Sequence, residues 1–144
     1  MKSTKAKTDT AVTEVAREDL KKRIALIEEG YEFMLGYAAQ GLPDDREARS
    51  GAQLRDHLKH CDTALTDLAD LCTRRLLEEN DYSADHPPAF TSVLERDARD
   101  AQAAIQLVLA QPSISSQLID NLNASIHVRA LLTDLFLVAE ILKL

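Results

Sequence analysis

The sequence predicts an all-α protein, an antiparallel up-down-up-down four-helix bundle that dimerises through its C-terminal helix. Three observations carry this expectation. Four glycines and four prolines among 144 residues are too few for the turns of an all-β chain. At 45% hydrophobic and 28% charged residues, the chain holds enough aliphatic side chains for a core and is unlike a disordered segment. The helix breakers fall at only three places, Gly41-Leu42-Pro43, Asn80 through Pro88, and Gln111-Pro112-Ser113. They divide the chain into four segments with apolar residues at helical spacing.

Residues 1–9, rich in lysine and threonine, are expected as a flexible basic tail, followed by a single domain over 10–144. The first helix is expected over 10–40, because Leu20, Ile24, Ile27, Tyr31, Met34 and Ala38 recur at spacings of 4, 3, 4, 3 and 4. Gly41 suits the left-handed position after its end, and Pro43 prevents continuation. The second is expected over 44–79, with Asp44 and Glu47 as a capping box and a seam of Leu54, Leu58, Cys61, Leu65, Leu68 and Cys72. The third, over 88–110, opens on Pro87-Pro88 and turns Phe90, Leu94, Ala98, Ala101, Ile105 and Val108 inward. Pro112 ends it and Ser113 can cap the fourth, expected over 114–143 with a seam from Ile114 through Leu118, Asn121 and Ser125 to Val128, Leu132, Leu135, Ala139 and Leu142.

That last helix stands apart. Between Ser113 and Leu144 the only charged residues are Asp120, Arg129, Asp134, Glu140 and Lys143. A helix apolar almost all round needs cover on more than one side, and a homodimer supplies it most simply. Leu131, Leu135, Phe136, Val138 and Leu142 are the residues expected at that self-contact.

A formal net charge of −7 disfavours DNA as a partner, because phosphate binding wants a basic face. The polar N-terminus has no apolar stretch of signal-peptide type, and the run Leu135 to Ala139 is far short of a membrane span. The expectation is a cytoplasmic protein. Cys61 and Cys72, eleven residues apart on one expected helix, would be separated by about 16 Å and cannot pair unless that helix breaks.

Bundles often carry metals, but a ferritin-like site needs Glu-x-x-His pairs, which the sequence lacks. His57 and Cys61 lie one turn apart, yet no second Cys/His pair follows to complete a zinc site. No metal and no cofactor are expected. Around His57 and His60 the lysine and glycine of a histidine phosphotransfer domain are missing at the required distances.

One short motif points to chemistry. Arg55-Asp56-His57-Leu58-Lys59-His60 resembles the Arg-x-x-x-x-His motif of HEPN-type ribonucleases and toxins, which are small helical bundles that often dimerise. The resemblance implies His60 for proton transfer and Arg55 for stabilising phosphate charge, with RNA as substrate. The leading expectation is instead a non-enzymatic bundle, an adaptor, regulator or chaperone-like module, whose partner is itself and, in some settings, another protein. The HEPN-like ribonuclease is the first alternative, and a bundle holding a small molecule between its helices is the second.

Overall fold

The computed structural model describes residues 2–83 and 85–144, and their side chains from Thr4 on. Among the described residues there are six helices and no strand: α1 (Lys2–Ala39), α2 (Arg49–Leu65), α3 (Leu68–Glu79), α4 (Phe90–Leu109), α5 (Ser116–Ala124) and α6 (His127–Leu142). No helix is long and apolar enough to cross a membrane.

Residues 2–9, expected as part of a tail, form the first turns of α1; Met1 lies outside the described residues. Nothing in Lys-Ser-Thr-Lys-Ala-Lys-Thr-Asp breaks a helix, and the Thr8 and Thr10 hydroxyls donate back to the carbonyls of Thr4 and Ala6 at 2.9 and 2.8 Å. Burial begins only at Leu20, so the first half of α1 stands clear of the core. From there Leu20, Ile24, Ile27 and Met34 are enclosed, while Tyr31 and Ala38 are half-buried. Tyr37, outside the expected seam, is fully enclosed.

Two of the four expected helices are broken. The second starts five residues late, at Arg49, and the capping box does not form: Ala48 takes the N-cap position with no side-chain bond. Asp44 is engaged locally, accepting from the Arg46 backbone N–H at 2.8 Å. It then breaks at Thr66, which is extended, and Asp67, which sits at φ 58°. The carbonyls freed there find donors on two other helices. Arg23 of α1 donates to the Ala64 and Thr66 carbonyls, and Gln102 of α4 donates to the Asp62 carbonyl at 3.0 Å. The seam survives the kink, since Leu54, Leu58, Cys61, Leu65, Leu68 and Cys72 are all buried.

The last segment breaks at Ser125-Ile126, where Ile126 adopts φ 64°. This is an outlying conformation for a β-branched residue. The break shifts the helical phase. Ile114, Ile119 and Leu122 are buried ahead of it, whereas the expected seam residue Asn121 is exposed and Leu118 and Ser125 are half-buried. Beyond it Val128, Leu132, Leu135 and Leu142 point inward as expected.

Among the described residues, α1 packs against α2, α3, α5 and α6, and α4 packs against the same four. The two do not touch each other. The core is therefore made where α2–α3 and α5–α6 pass between them.

Candidate interaction face

The end of the molecule near Tyr37 is closed by a buried polar knot. Asp45, in the link between α1 and α2, accepts from the Ile114 backbone N–H at 2.7 Å and pairs with Arg55 at 2.5 Å. Arg55 also donates to the carbonyls of Leu109 and Gln111 at 3.4 and 3.0 Å. Tyr37 donates its hydroxyl to the Ile114 carbonyl, and Ser116 ties the Tyr37 carbonyl to the Leu42 N–H, all within 2.8 Å. Burial pushes the Asp45 carboxyl up, but Arg55 and the Ile114 N–H outweigh it and hold the group below the usual carboxylate range. The Tyr37 hydroxyl is raised, first by burial and then by the Asp45 charge.

This knot decides where the Arg55–His60 pair stands. The Nε, Nη1 and Nη2 atoms of Arg55 are all committed to Asp45 and two backbone carbonyls. His60, five residues on, lies about 140° away around the helix and is exposed. The structure does not bring the two together. His57 stacks on Phe33 at 4.5 Å, packing α2 against α1. Cys61 and Cys72, now on separate helices, are both free and buried. Burial pushes each thiol up to about 12, away from nucleophile chemistry. Among the described residues no three His, Cys, Asp or Glu side chains gather at metal-binding distance.

Chemistry of contact is concentrated on α6. Of the five residues expected at a self-contact, Leu131, Leu135, Val138 and Leu142 are enclosed within the single chain, against α1 and α4. Within the chain these four serve its own core, and of the five Phe136 alone faces out. The outward side carries a different apolar set, with Ile126 59%, Phe136 46%, Leu137 52% and Ile141 55% exposed. Ile126, Ala130, Thr133, Leu137 and Ile141 follow one another at spacings of 4, 3, 4 and 4, a second heptad-like seam on the solvent side. Arg129 and Glu140 flank it along one edge, eleven residues or about three turns apart.

Two hollows adjoin this seam. One, of about 360 Å³, is lined by Ile126, Arg129, Ala130, Thr133 and Asp134, and exists because alanine and threonine are small. The other, of about 310 Å³, lies toward α1 between Tyr31, Leu35, Leu132 and Phe136 with Glu28 and Glu32 at its rim. Asp134, which lines the first hollow, is only 8% exposed, and its Oδ2 has no hydrogen-bond partner among the described residues. Burial, then the negative charge of Asp97 on α4, push the Asp134 carboxyl up to about 7.

Elsewhere, a cleft of about 450 Å³ between α3 and α4 is lined by Leu68, Asp70, Thr73, Thr91, Glu95 and Arg99. Of its charged residues, Arg99 pairs with Glu95 at 2.9 Å and Asp70 with Arg74 at 3.5 Å, each along its own helix, while Asp67 stands at the break between α2 and α3. Compared with protein-family models, curated proteins and solved structures, the chain matches none.

Proposed function

We propose that this protein works without catalysis, by protein–protein contact, and that the contact is first of all with a second copy of itself through the outer face of α6. The observation that carries this reading is the outward seam of exposed Ile126, Thr133, Leu137 and Ile141 with half-buried Ala130 among them. It is self-complementary. When two α6 helices lie antiparallel about a two-fold axis near Thr133, Ile126 meets the second copy's Ile141 and Ala130 meets its Leu137. A bulky side chain thus faces a small one, as knob faces hole. Arg129 then comes within a turn of the second copy's Glu140 on the same edge, so the charges agree with the apolar match.

The scaffold behind that face fits an up-down-up-down arrangement of four columns, two of them kinked: α1, then α2 with α3, then α4, then α5 with α6. Supporting this is the order in which residues of neighbouring helices meet. Gly30 of α1 lies beside Cys61 of α2, Asp62 of α2 beside Gln102 of α4, and Arg17, toward the middle of α1, bonds Glu79 of α3 and the Lys143 carbonyl beyond α6. A rigid bundle presenting one apolar helix face suits an adaptor, regulator or chaperone-like module.

Light scattering behind size exclusion tests the reading. Wild type runs as a dimer at micromolar concentration, and Leu137→Asp runs as a folded monomer with unchanged helicity by circular dichroism. A wild-type monomer across that range, or a Leu137→Asp dimer, would sink it.

A further inference from the structure

The side of α6 turned to α1 carries a second surface without a partner. The hollow of about 310 Å³ beside Tyr31, Leu35 and Leu132 continues past Phe136 into another of about 250 Å³, lined by Ile24, Ala25, Ala139 and Leu144. Glu28 and Phe136 border both, so the two form one groove between antiparallel stretches of α1 and α6. From Lys21 to Leu35 the groove is about 21 Å long, at about 1.5 Å per residue. Its interior is apolar, with Leu35 and Phe136 half exposed. One edge is acidic. Glu28 and Glu32 stand one turn apart on α1, both exposed, and no described arginine, lysine or histidine lies within ion-pair distance of either. The cations that border the groove, Lys21 and Arg129, sit at its two ends. Its middle is therefore a negative strip beside an apolar floor, on a chain whose formal net charge is already −7.

We propose that this groove docks an amphipathic helix of another protein, with large aliphatic side chains at i and i+7, small residues at i+3 and i+4, and lysine or arginine along one flank. The spacing comes from the hollows. Ala25 in one and Glu32 beside the other are seven residues apart on α1, which is about 10 Å or two turns of a docked helix. The aliphatic pair fills the hollows, the small residues pass over the Phe136 ring between them, and the basic flank meets Glu28 and Glu32. A second copy of this chain suits the groove poorly. Val12 and Val15, exposed on the first half of α1, stand beside Glu14, Glu18 and Asp19, which the acidic edge repels. Nor does the site need self-association. One residue is about 100° of helix, so Phe136 is turned well away from Leu137 and both faces of α6 are free to be covered at once.

Fluorescence anisotropy tests this with a hydrocarbon-stapled peptide of about 15 residues, long enough to hold a helix. It carries leucines at i and i+7, alanines at i+3 and i+4, and lysines on both flanks, so that either direction of docking meets the acidic edge. The peptide binds wild type, and replacing its lysines by glutamate or its leucines by alanine weakens binding at least about 10-fold. Glu28→Lys combined with Glu32→Lys reverses the order, so that the glutamate peptide becomes the tighter one. Both substitutions fall on exposed positions, and circular dichroism checks that the helices are unchanged. Leu107→Ser, which removes an exposed leucine of α4, binds as wild type. Methyl NMR locates the contact: Ile24, Leu35, Leu132 and Leu144 shift on titration, and Ile126, Leu137 and Ile141 do not. No binding of the lysine peptide below about 1 mM, or equal affinity for the glutamate peptide, overturns the site. So does a lysine preference that survives the charge reversal, a Leu107→Ser variant that loses binding, or shifts confined to the outer face of α6. Groove methyls that shift when the protein alone is diluted overturn it as well, because a second copy is then the occupant. The groove lies within one chain, so these outcomes are read equally from a monomer or a dimer.

Discussion

Asp45 shows how much one residue can hold. Its two oxygens bind Arg55 and the Ile114 N–H, which fastens the α1–α2 link to the start of the last two helices. Removing it leaves a half-buried guanidinium and a buried N–H without their acceptor, so Asp45→Ala is expected to lower stability by about 2–4 kcal/mol in urea unfolding. The sign with pH follows from the direction of its shift. The folded-state pKa lies below the unfolded value, so the stabilisation is present above about pH 4 and is lost as pH falls through the folded value. The wild-type advantage over Asp45→Ala therefore narrows in acid. Asp134 has the opposite sign. Its raised pKa makes folding costlier as pH climbs from about 4 to about 7, with no recovery above that range. Gly51 belongs to the same knot, because a Cβ there would collide with the Asp45 backbone. Neither role was legible in the sequence. Asp44 reads with Glu47 as a local capping box, nothing local marks Asp45, and the partners that hold Asp45 come from residues 10 and 69 positions away.

At the scale of elements, the helices and their inner faces were largely legible and their breaks were not. The seam from Leu54 to Cys72 keeps an unbroken heptad spacing, and every member is buried, yet the backbone kinks in its middle at Thr66-Asp67. A kink of one turn leaves apolar periodicity almost unchanged, so periodicity alone cannot announce it. What sustains it is distant: Arg23 and Gln102 supply donors to carbonyls that a straight helix would have used itself. Asp67 carries the left-handed conformation, with a side chain that makes no capping bond. Asp67→Gly is accordingly expected to raise stability by about 0.5–1 kcal/mol, read as a higher melting temperature at fixed concentration. The Ile126 break has a second consequence. It rephases α6 relative to α5, which turns Leu131, Leu135, Val138 and Leu142 inward and leaves Ile126, Leu137 and Ile141 outside.

For the whole molecule, the consequence to measure is linkage between stability and concentration. A dimer held by the outer face of α6 makes the melting temperature rise with protein concentration, because mass action favours the species that binds only when folded. Wild type is expected to gain several degrees between about 2 and 200 µM, and Leu137→Asp none; a concentration-independent wild type would contradict the assembly. Leu135→Asp provides the contrast, since Leu135 is fully enclosed and a charge there should abolish cooperative folding. The sequence by itself determined the helical class, the inward rows of α1 through α4, and an excess of apolar surface on the last helix. Those follow from composition and from spacing along one chain, which a helix converts directly into faces. Only the tertiary structure decided which side of α6 is the excess. A helix apolar all round offers no local preference, and the side turned inward is chosen by the neighbours that α1 and α4 place against it.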